Sequence, residues 1–246
     1  MKSILYDLRR AIAGRWFLAA LFATATALYL SIGQATYGLI DYLKSIEWQE
    51  KNFRYSLSDL MALGLRGDFG MLTLPALSAL PFAAQALHEI KCGAIRPAVF
   101  RTGRTAWIVG KAAGCTLSGM LLQGAAAGLL CLILNGLMAC IAGQGFPWGE
   151  NAAFWPMLLR RMLCGGIWAG VGCVTALATE TASAAYLAPL CLCYALKMIG
   201  TRFFPDATML NPMQWVSGVA WLLAALLALT AALQAFFLKR GVQKYA

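Results

Sequence analysis

Long apolar runs alternate with short polar segments along the whole chain. A helix needs about 20 apolar residues to cross a bilayer core, and six runs approach or exceed that length. We therefore predict an all-α polytopic membrane protein with six spans, at about 16–34, 69–87, 107–142, 157–179, 182–199 and 217–238. The run over 107–142 exceeds one crossing, but no polar turn interrupts it, so we expect one long helix that tilts or projects.

Two prolines distinguish the second run from the others. Pro75 and Pro81 both lie within 69–87. Because proline removes a backbone donor and clashes with the preceding turn, we expect this helix to bend or break. Prolines are also tolerated in membrane helices without a mechanical role, so no function follows from them alone.

Residues 1–15 are predicted to form an amphipathic interfacial helix before the first span. Apolar side chains recur there at helical spacing, and the basic residues mostly fall on the opposite side. Such a helix lies along a membrane surface. The apolar run that follows, from Trp16 to Gly33, exceeds the roughly 7–15 residues of a signal-peptide core, so we expect it to remain as a span.

Two segments between spans are expected at the outer face. Residues 38–68 mix both charge signs with aromatic residues, which favours a short interfacial helix. Residues 201–216 are apolar and aromatic and contain two prolines, and such a segment can dip back into the membrane as a re-entrant hairpin.

The composition excludes a soluble domain and a nucleic-acid-binding protein. Of 246 residues, 61% are hydrophobic and only 12% are charged, which is too little charge to cover a soluble surface of this size. The net charge is +10, but the basic residues are scattered between apolar runs and form no continuous stripe. We interpret the basicity as a topology signal, with the lipid bilayer and not nucleic acid as the surrounding partner.

The distribution of basic residues predicts the orientation. The side that carries both termini and the segment after the second run has twelve lysines and arginines, and the other side has eight. Positive residues are enriched in cytoplasmic loops. We therefore expect a multi-pass protein of the cytoplasmic membrane of a prokaryote, with both termini in the cytoplasm.

Candidate catalytic and metal-binding residues are scarce. Eight cysteines lie almost wholly in apolar runs without a CxxC pair, and the chain has one histidine, His88, so neither a zinc site nor a nucleophile–histidine pair is indicated. The sequence from Thr105 to Ala112 ends in Gly-Lys like a phosphate loop, but it lacks the first glycine and the Ser or Thr after the lysine. We expect no catalysis and no cofactor on this chain.

One strongly charged block, His88 to Lys111, lies between the second and third runs. It contains one acid and five basic residues: Glu89, Lys91, Arg96, Arg101, Arg104 and Lys111. Such a segment must lie in water or among headgroups. A short amphipathic helix with exposed arginines suits an acidic groove on a soluble partner. Glu180, in a short turn on the same side, is either a solvated residue or a partner for a basic group of the block.

Small residues recur at helical spacing in the third and fourth runs. Their positions are Gly110, Gly114, Gly124, Gly128, Gly166 and Gly170. Faces of this kind let two helix backbones approach closely. They indicate either packing within the subunit or a dimer seam, and the spacing does not decide between the two.

The order of these elements resembles the permease subunits of type-2 (type V) ABC exporters. In that family the link after the second span has a glutamate, a glycine four residues later, an apolar stretch and a turn before a lysine. The corresponding residues here are Glu89, Gly93, Val99-Phe100, Thr102-Gly103-Arg104 and Lys111. Thr102 stands where the family usually has proline. The architecture matches over the whole chain, and the motif over about twenty residues.

The resemblance implies a coupling helix, a separate motor and an outer gate. Residues 89–104 would form the cytoplasmic coupling helix between spans 2 and 3, which docks into an ATP-binding cassette ATPase that binds ATP and Mg²⁺. A second permease subunit, identical or different, would complete the pathway. The hairpin between spans 5 and 6 would be the re-entrant outer gate, with Phe203, Phe204, Pro205 and Pro212 in it.

These observations predict a non-catalytic permease subunit that exports an amphipathic or hydrophobic molecule, such as a peptide, a drug or a lipid-like compound. Two alternatives belong to other classes. A membrane-embedded enzyme acting on lipid would use His88, Glu89 and Glu180, which would have to converge. A structural or signalling anchor of a larger complex would need none of them.

Overall fold

The computed structural model describes residues 2–45, 56–142, 148–149, 151–218 and 220–245. In these residues the chain is helical and contains no strand. The described helices are α1 (Lys2–Ile12), α2 (Arg15–Ser45), α3 (Leu57–Arg66), α4 (Asp68–Ala79), α5 (Gln85–Lys91), α6 (Ile95–Thr102), α7 (Arg104–Ala142), α8 (Phe154–Thr179), α9 (Ala184–Phe203) and α10 (Ala220–Tyr245).

Among the described residues, five helices are long and apolar enough to cross a membrane. They comprise Arg15–Gly33 of α2, Arg104–Cys140 of α7, Phe154–Thr179 of α8, Ala184–Phe203 of α9 and Ala220–Lys244 of α10. The expectation of an all-helical, multi-pass membrane protein is thus supported. The expected single helix over 107–142 is confirmed, since α7 is continuous over 39 residues.

The second predicted span, over 69–87, is divided between two short helices. α4 contains Pro75 and ends at Ala79, and α5 begins at Gln85, so that Pro81 lies in the break between them. The break agrees with the loss of backbone donors at proline. At about 1.5 Å per residue, the 12 residues of α4 are too short for a bilayer core of about 30 Å. Together, however, α4 and α5 run the length of the helix bundle.

The bundle has two ends that differ in chemistry. We call the end formed by α1, α5, α6, the α8–α9 turn and the last residues of α10 the basic end; salt bridges and hydrogen bonds join these elements there. We call the opposite end, which holds α3, residues 148–149 and 151–153 and residues 204–218, the far end. The first described helix, α1, and the last residues of α10 therefore both lie at the basic end.

The segment over 38–68 differs from the expected interfacial helix. α2 continues to Ser45, past the predicted limit at 34, and α3 is an internal helix whose Leu60, Met61 and Leu65 are at most 1% exposed. Ser56 caps α3 by accepting a hydrogen bond from the Asp59 amide. Hydrogen bonds from Ser56 lower the pKa of Asp59. The aromatic residues Trp48, Phe53 and Tyr55 of this segment lie outside the described residues.

The backbones of α7 and α8 approach each other closely at two glycines. A Cβ atom at Gly119 would collide with the carbonyl oxygen of Gly165, and one at Gly165 would lie 2.6 Å from the carbonyl oxygen of Gly119. Both glycines are therefore required by the approach of two backbones. Neither glycine was among the packing glycines predicted from the sequence, although Cys115–Gly119 and Gly165–Ala169 have the same small-residue spacing as those.

The six glycines named from the sequence have different surroundings. Gly166 packs on Met120, Gly124 on Met162, and Gly114 on Asp7 and Phe82, whereas nothing lies within 4 Å of a Cβ at Gly128. Gly110 is buried in α7. Gly170 faces Gln234 of α10, whose buried amide atoms have no hydrogen-bond partner. Most of these glycines therefore pack within the subunit, and Gly128 is exposed on its surface.

The crossing can be tested with two alanine substitutions in the same helix. Gly119→Ala is expected to lower the free energy of unfolding by about 2–3 kcal/mol, since a backbone carbonyl cannot move aside as a flexible side chain would. Gly128→Ala is the matched control and should leave stability unchanged or raise it by up to about 1 kcal/mol. Thermal unfolding of the purified protein in detergent measures both. Equal stabilities of the two variants would contradict the close crossing.

Candidate functional site

Two glycines delimit α6 at the basic end. Gly93 and Gly103 have φ of 71° and 82°, in the left-handed region that favours glycine. The first ends the turn after α5, and the second is the residue between α6 and α7. Pro97 is tolerated because it lies in the first turn of α6, where a backbone N–H has no helical acceptor. The sequence thus encodes a short helix set apart from its neighbours.

α6 presents a basic and apolar face to its surroundings. Ile95 is buried and anchors the helix to the bundle, and Ala98 and Val99 are partly buried beside it. On the other side, Phe100 is 91% exposed, and Arg96 and Arg101 are also exposed, as is Arg104 at the start of α7. An exposed phenylalanine flanked by arginines is typical of a protein-contact surface.

Glu89 and Lys111 lie inside the bundle instead of on this face. Lys111 Nζ is 2.6 Å from Asp7 Oδ1 and 2.9 Å from Glu89 Oε1, and all three residues are at most 8% exposed. The same Glu89 oxygen accepts hydrogen bonds from Arg10 Nη1 (3.2 Å) and Gln85 Nε2 (3.3 Å). We call these five residues the charge cluster. It connects α1 to α5 and α7, the helices that precede and follow α6 in the chain.

Only part of the charge cluster could be predicted from the sequence. Glu89 and Lys111 were predicted to contact a partner, whereas their side chains contact each other and Asp7. Asp7 is an isolated acid in a basic lead-in, and Lys111 lies seven residues into the long helix α7. A charge at such a position needs a buried counter-ion, but the sequence alone does not identify which acid supplies it.

A second ionic contact joins the end of the chain to the α8–α9 turn. Glu180 follows α8 with φ of 56°, and its carboxylate pairs with Lys244 at 2.6 Å. Lys91 of the charged block donates to the Glu180 carbonyl oxygen at 2.6 Å. The hydrogen bond and the charge of Lys244 lower the pKa of Glu180. Glu180 therefore contacts both the charged block and the C-terminal helix.

The three residues required by an enzyme do not share one cavity among the described residues. His88 and Glu89 line a cavity of about 480 Å³ with Arg101 and Trp107. Glu180 lines a different cavity, of about 180 Å³. Glu89 is also held by the charge cluster. The structure brings together no constellation of these residues that resembles an acid–base pair.

Arg161 is the largest fully buried side chain of α8. Its guanidinium donates to the carbonyl oxygens of Leu65 (2.8 Å) and Gly70 (3.0 Å) and to Gln123 Oε1 (3.2 Å). Gln123 in turn donates to Ser78 Oγ at 2.9 Å. None of the salt bridges in the described part of the chain includes Arg161. It joins α3, α4 and α7 to α8.

From the sequence, Arg161 was interpreted only as one of the basic residues that indicate membrane orientation, near the outer end of a span. Its neighbour Arg160 is partly exposed and contacts the carbonyl oxygen of Val216 at 3.4 Å. Both residues follow the start of α8 closely. The sequence contains no signal for which of two adjacent arginines turns inward.

The segment predicted as an outer gate lies at the far end, between α9 and α10. Phe203, Phe204 and Pro205 are exposed, and Pro212 is buried. The connection then folds back into the bundle, where Trp215 stacks on Trp168 with ring centroids 5.7 Å apart.

The depth of this connection follows from the position of Trp168. Trp168 is fourteen residues past the start of α8 at Phe154, about 21 Å along the helix axis. Trp215 is buried, and its indole donates to the carbonyl oxygen of Met209 at 2.9 Å. The polar edge of the ring is thus satisfied within the connection itself. The connection therefore contributes to the core of the bundle.

Comparison with known proteins provides no relative from which to transfer a role. No protein-family model, no curated protein and no solved structure matches the chain.

Proposed function

We propose that this chain is a permease subunit of an ATP-driven exporter and that α6 is the helix by which a soluble ATPase drives it. The observation that supports this proposal most directly is the exposed face of α6, with Phe100 between Arg96 and Arg101. ATP and Mg²⁺ would be bound by the ATPase subunit.

The surroundings of α6 suit transmission of force. A docking helix must be accessible on one side and firmly connected on the other. Ile95 anchors α6, and the charge cluster joins α5 and α7 immediately before and after it. A displacement of α6 by a partner would therefore move the long helix α7 and not only a surface loop. This mechanical connection is the role that we propose for Glu89 and Lys111.

The proposed topology has six crossings, with α4 and α5 together forming the second. The basic end would then face the cytoplasm of a prokaryotic cell, because lysine and arginine are enriched on that side of a membrane. Both termini and α6 would lie where a cytoplasmic ATPase can reach them. The connection of residues 204–218 would be a re-entrant element at the outer face.

The cargo class follows from the chemistry of the long helices. α9 and α10 expose apolar side chains such as Leu187, Tyr194, Trp221 and Leu229, and a second permease subunit, identical or different, would cover part of this surface. A pathway between such faces suits an amphipathic or hydrophobic molecule such as a peptide, a drug or a lipid-like compound. A structural or signalling anchor remains the alternative that transport measurements would distinguish.

The proposal is tested by purifying the tagged full-length chain from membranes of its natural host in mild detergent. The wild-type preparation is expected to contain a copurified ABC ATPase and vanadate-sensitive ATP hydrolysis. The double variant Arg101→Glu/Arg104→Glu should copurify with at least about tenfold less ATP hydrolysis than the wild type. Each substitution would place a glutamate opposite acidic residues of the ATPase groove.

Lys239→Glu is the control for a charge reversal at the same end of the bundle. Lys239 is exposed at the basic end but lies on α10, outside α6, so this variant should retain wild-type hydrolysis. Absence of an ATPase from the wild-type preparation, or full retention of hydrolysis by the double variant, would refute the docking role of α6.

A further inference from the structure

Two cavities lie beside α5 and share one residue. The first, of about 480 Å³, is bounded by α1, α5, α6 and α7. The second, of about 370 Å³, is bounded by the start of α2, the break before α5, α5 itself and the α8–α9 turn with the start of α9. His88 lines both and is exposed. The two cavities therefore adjoin along one side of α5.

The first cavity is built to receive an anion. Its charged lining consists of Asp7, Arg10, Glu89, Arg101 and Lys111, with His88 beside them. Lys111 occupies both acids, and Arg10 also pairs with Glu89. No salt bridge among the described residues engages Arg101. The cavity thus retains an exposed guanidinium whose positive charge is not balanced by a contacting acid.

Trp107 supplies an independent indication of a ligand. This residue lines the same cavity and is only 3% exposed, and its indole Nε1 has no hydrogen-bond partner. An indole N–H can only donate, and an unpartnered buried donor costs about 1–3 kcal/mol. An acceptor oxygen in the cavity would satisfy Trp107 and neutralise Arg101 at the same time.

The second cavity is mostly apolar, with Gln85, His88 and Lys91 as its polar residues, and lies at the level where spans begin. It is lined by Trp16 and Tyr186, close to the first residues of the candidate spans in α2 and α9. Tryptophan and tyrosine are enriched at the level of lipid headgroups. The remaining lining is mostly hydrocarbon, from Leu80, Pro81 and Phe82 among others. An acyl chain would find an apolar surface there.

We propose that the two cavities together bind one anionic phospholipid of the leaflet at the basic end. Its phosphate accepts hydrogen bonds from Arg101 and Trp107 in the first cavity, and one acyl chain lies over His88 into the second. The order of the cavities matches the order of a lipid, with a charged lining from α1, α5, α6 and the start of α7 next to an apolar lining from the starts of α2 and α9. This site does not depend on the ATPase proposed above.

The test uses the full-length protein in zwitterionic detergent, with phosphatidylglycerol or phosphatidylcholine of the same chain length added. Native mass spectrometry counts the bound lipids. The wild-type protein is expected to retain one phosphatidylglycerol in preference to phosphatidylcholine. Arg101→Gln should reduce that preference about fivefold, the effect of one basic residue on an anionic lipid, and Trp107→Phe should also reduce it. Lys239→Gln, at the same end on α10, should not.

A second arm separates a lipid from a free phosphate. Ala182 lines the apolar cavity and is exposed, so Ala182→Trp should fill that cavity and lower phosphatidylglycerol retention while leaving the charged lining intact. If 10-fold excess inorganic phosphate displaces the lipid completely, or if Ala182→Trp has no effect, the site binds phosphate alone and the lipid proposal is wrong. Equal retention of both lipids by the wild-type protein would also overturn it.

Discussion

Lys111→Met is expected to lower the free energy of unfolding by about 3–5 kcal/mol, the usual consequence of removing one member of a buried ion pair. The substitution preserves the length of the side chain and its apolar stem. It leaves Asp7 and Glu89 buried without their shared cation, which now lies 2.6 and 2.9 Å away. Arg10 cannot replace it, since its side chain is 53% exposed and contacts only Glu89 among these acids.

The size of this effect depends on the acids that remain and not on the lost contact itself. The triple variant Asp7→Asn/Glu89→Gln/Lys111→Met removes all three charges at similar volume. Because exchanging a whole buried ionic group for neutral residues is often nearly neutral, the triple variant should be within about 1.5 kcal/mol of the wild type. Thermal or denaturant unfolding in detergent, followed by circular dichroism, measures each variant.

The comparison of the two variants decides whether the charge cluster is ionic in the folded protein. A single variant that is as stable as the wild type would show that Lys111 does not balance the two acids. A triple variant as unstable as the single one would show that shape, and not charge, determines the stability of this region. Lys239→Met, at an exposed position of the same end, controls for loss of a lysine.

The helical framework could be predicted from hydrophobic patterning because that pattern is local. Five of the six long apolar runs became single helices, and Pro81 marked the break that divides the remaining run before α5. The end of α2 was misplaced by about ten residues, since polar residues after 34 do not stop a helix unless a breaker follows. α3 was misjudged for a similar reason: its single charged face obscured an apolar face that is buried by α2, α7 and α8.

The polar interior could not be predicted, because it depends on contacts between residues distant in sequence. Asp7 and Lys111 are 104 positions apart, and Arg161 reaches Leu65 across 96 positions. Single-sequence reasoning identifies a charge in an apolar run as unusual but not its partner. The short helix α6 with its exposed arginines was easier to predict, because these features are local in the sequence.

Arg161→Leu is the second substitution with a large expected effect, a loss of about 4 kcal/mol in the free energy of unfolding. The variant removes a cation that is fully buried, and it also removes the guanidinium donor from the amide oxygen of Gln123 and from the carbonyl oxygens of Leu65 and Gly70. The Gly70 carbonyl oxygen keeps a long hydrogen bond from the Thr73 hydroxyl. Each unsatisfied buried acceptor costs about 1–3 kcal/mol. The summed cost exceeds the gain from burying a leucine in place of a charge.

Two further substitutions determine what part of this effect is due to geometry. Arg161→Lys keeps the charge but has one nitrogen in place of the planar fork that reaches α3, α4 and α7 together, so about 2 kcal/mol should still be lost. Arg160→Leu is the adjacent control: Arg160 is partly exposed and makes one long contact, to Val216, so its loss should cost less than about 1 kcal/mol. Should both arginine-to-leucine variants unfold at the same temperature, Arg161 would not be the residue that holds these four helices together. Should Arg161→Lys match the wild type, charge alone would be sufficient and the fork would be unnecessary.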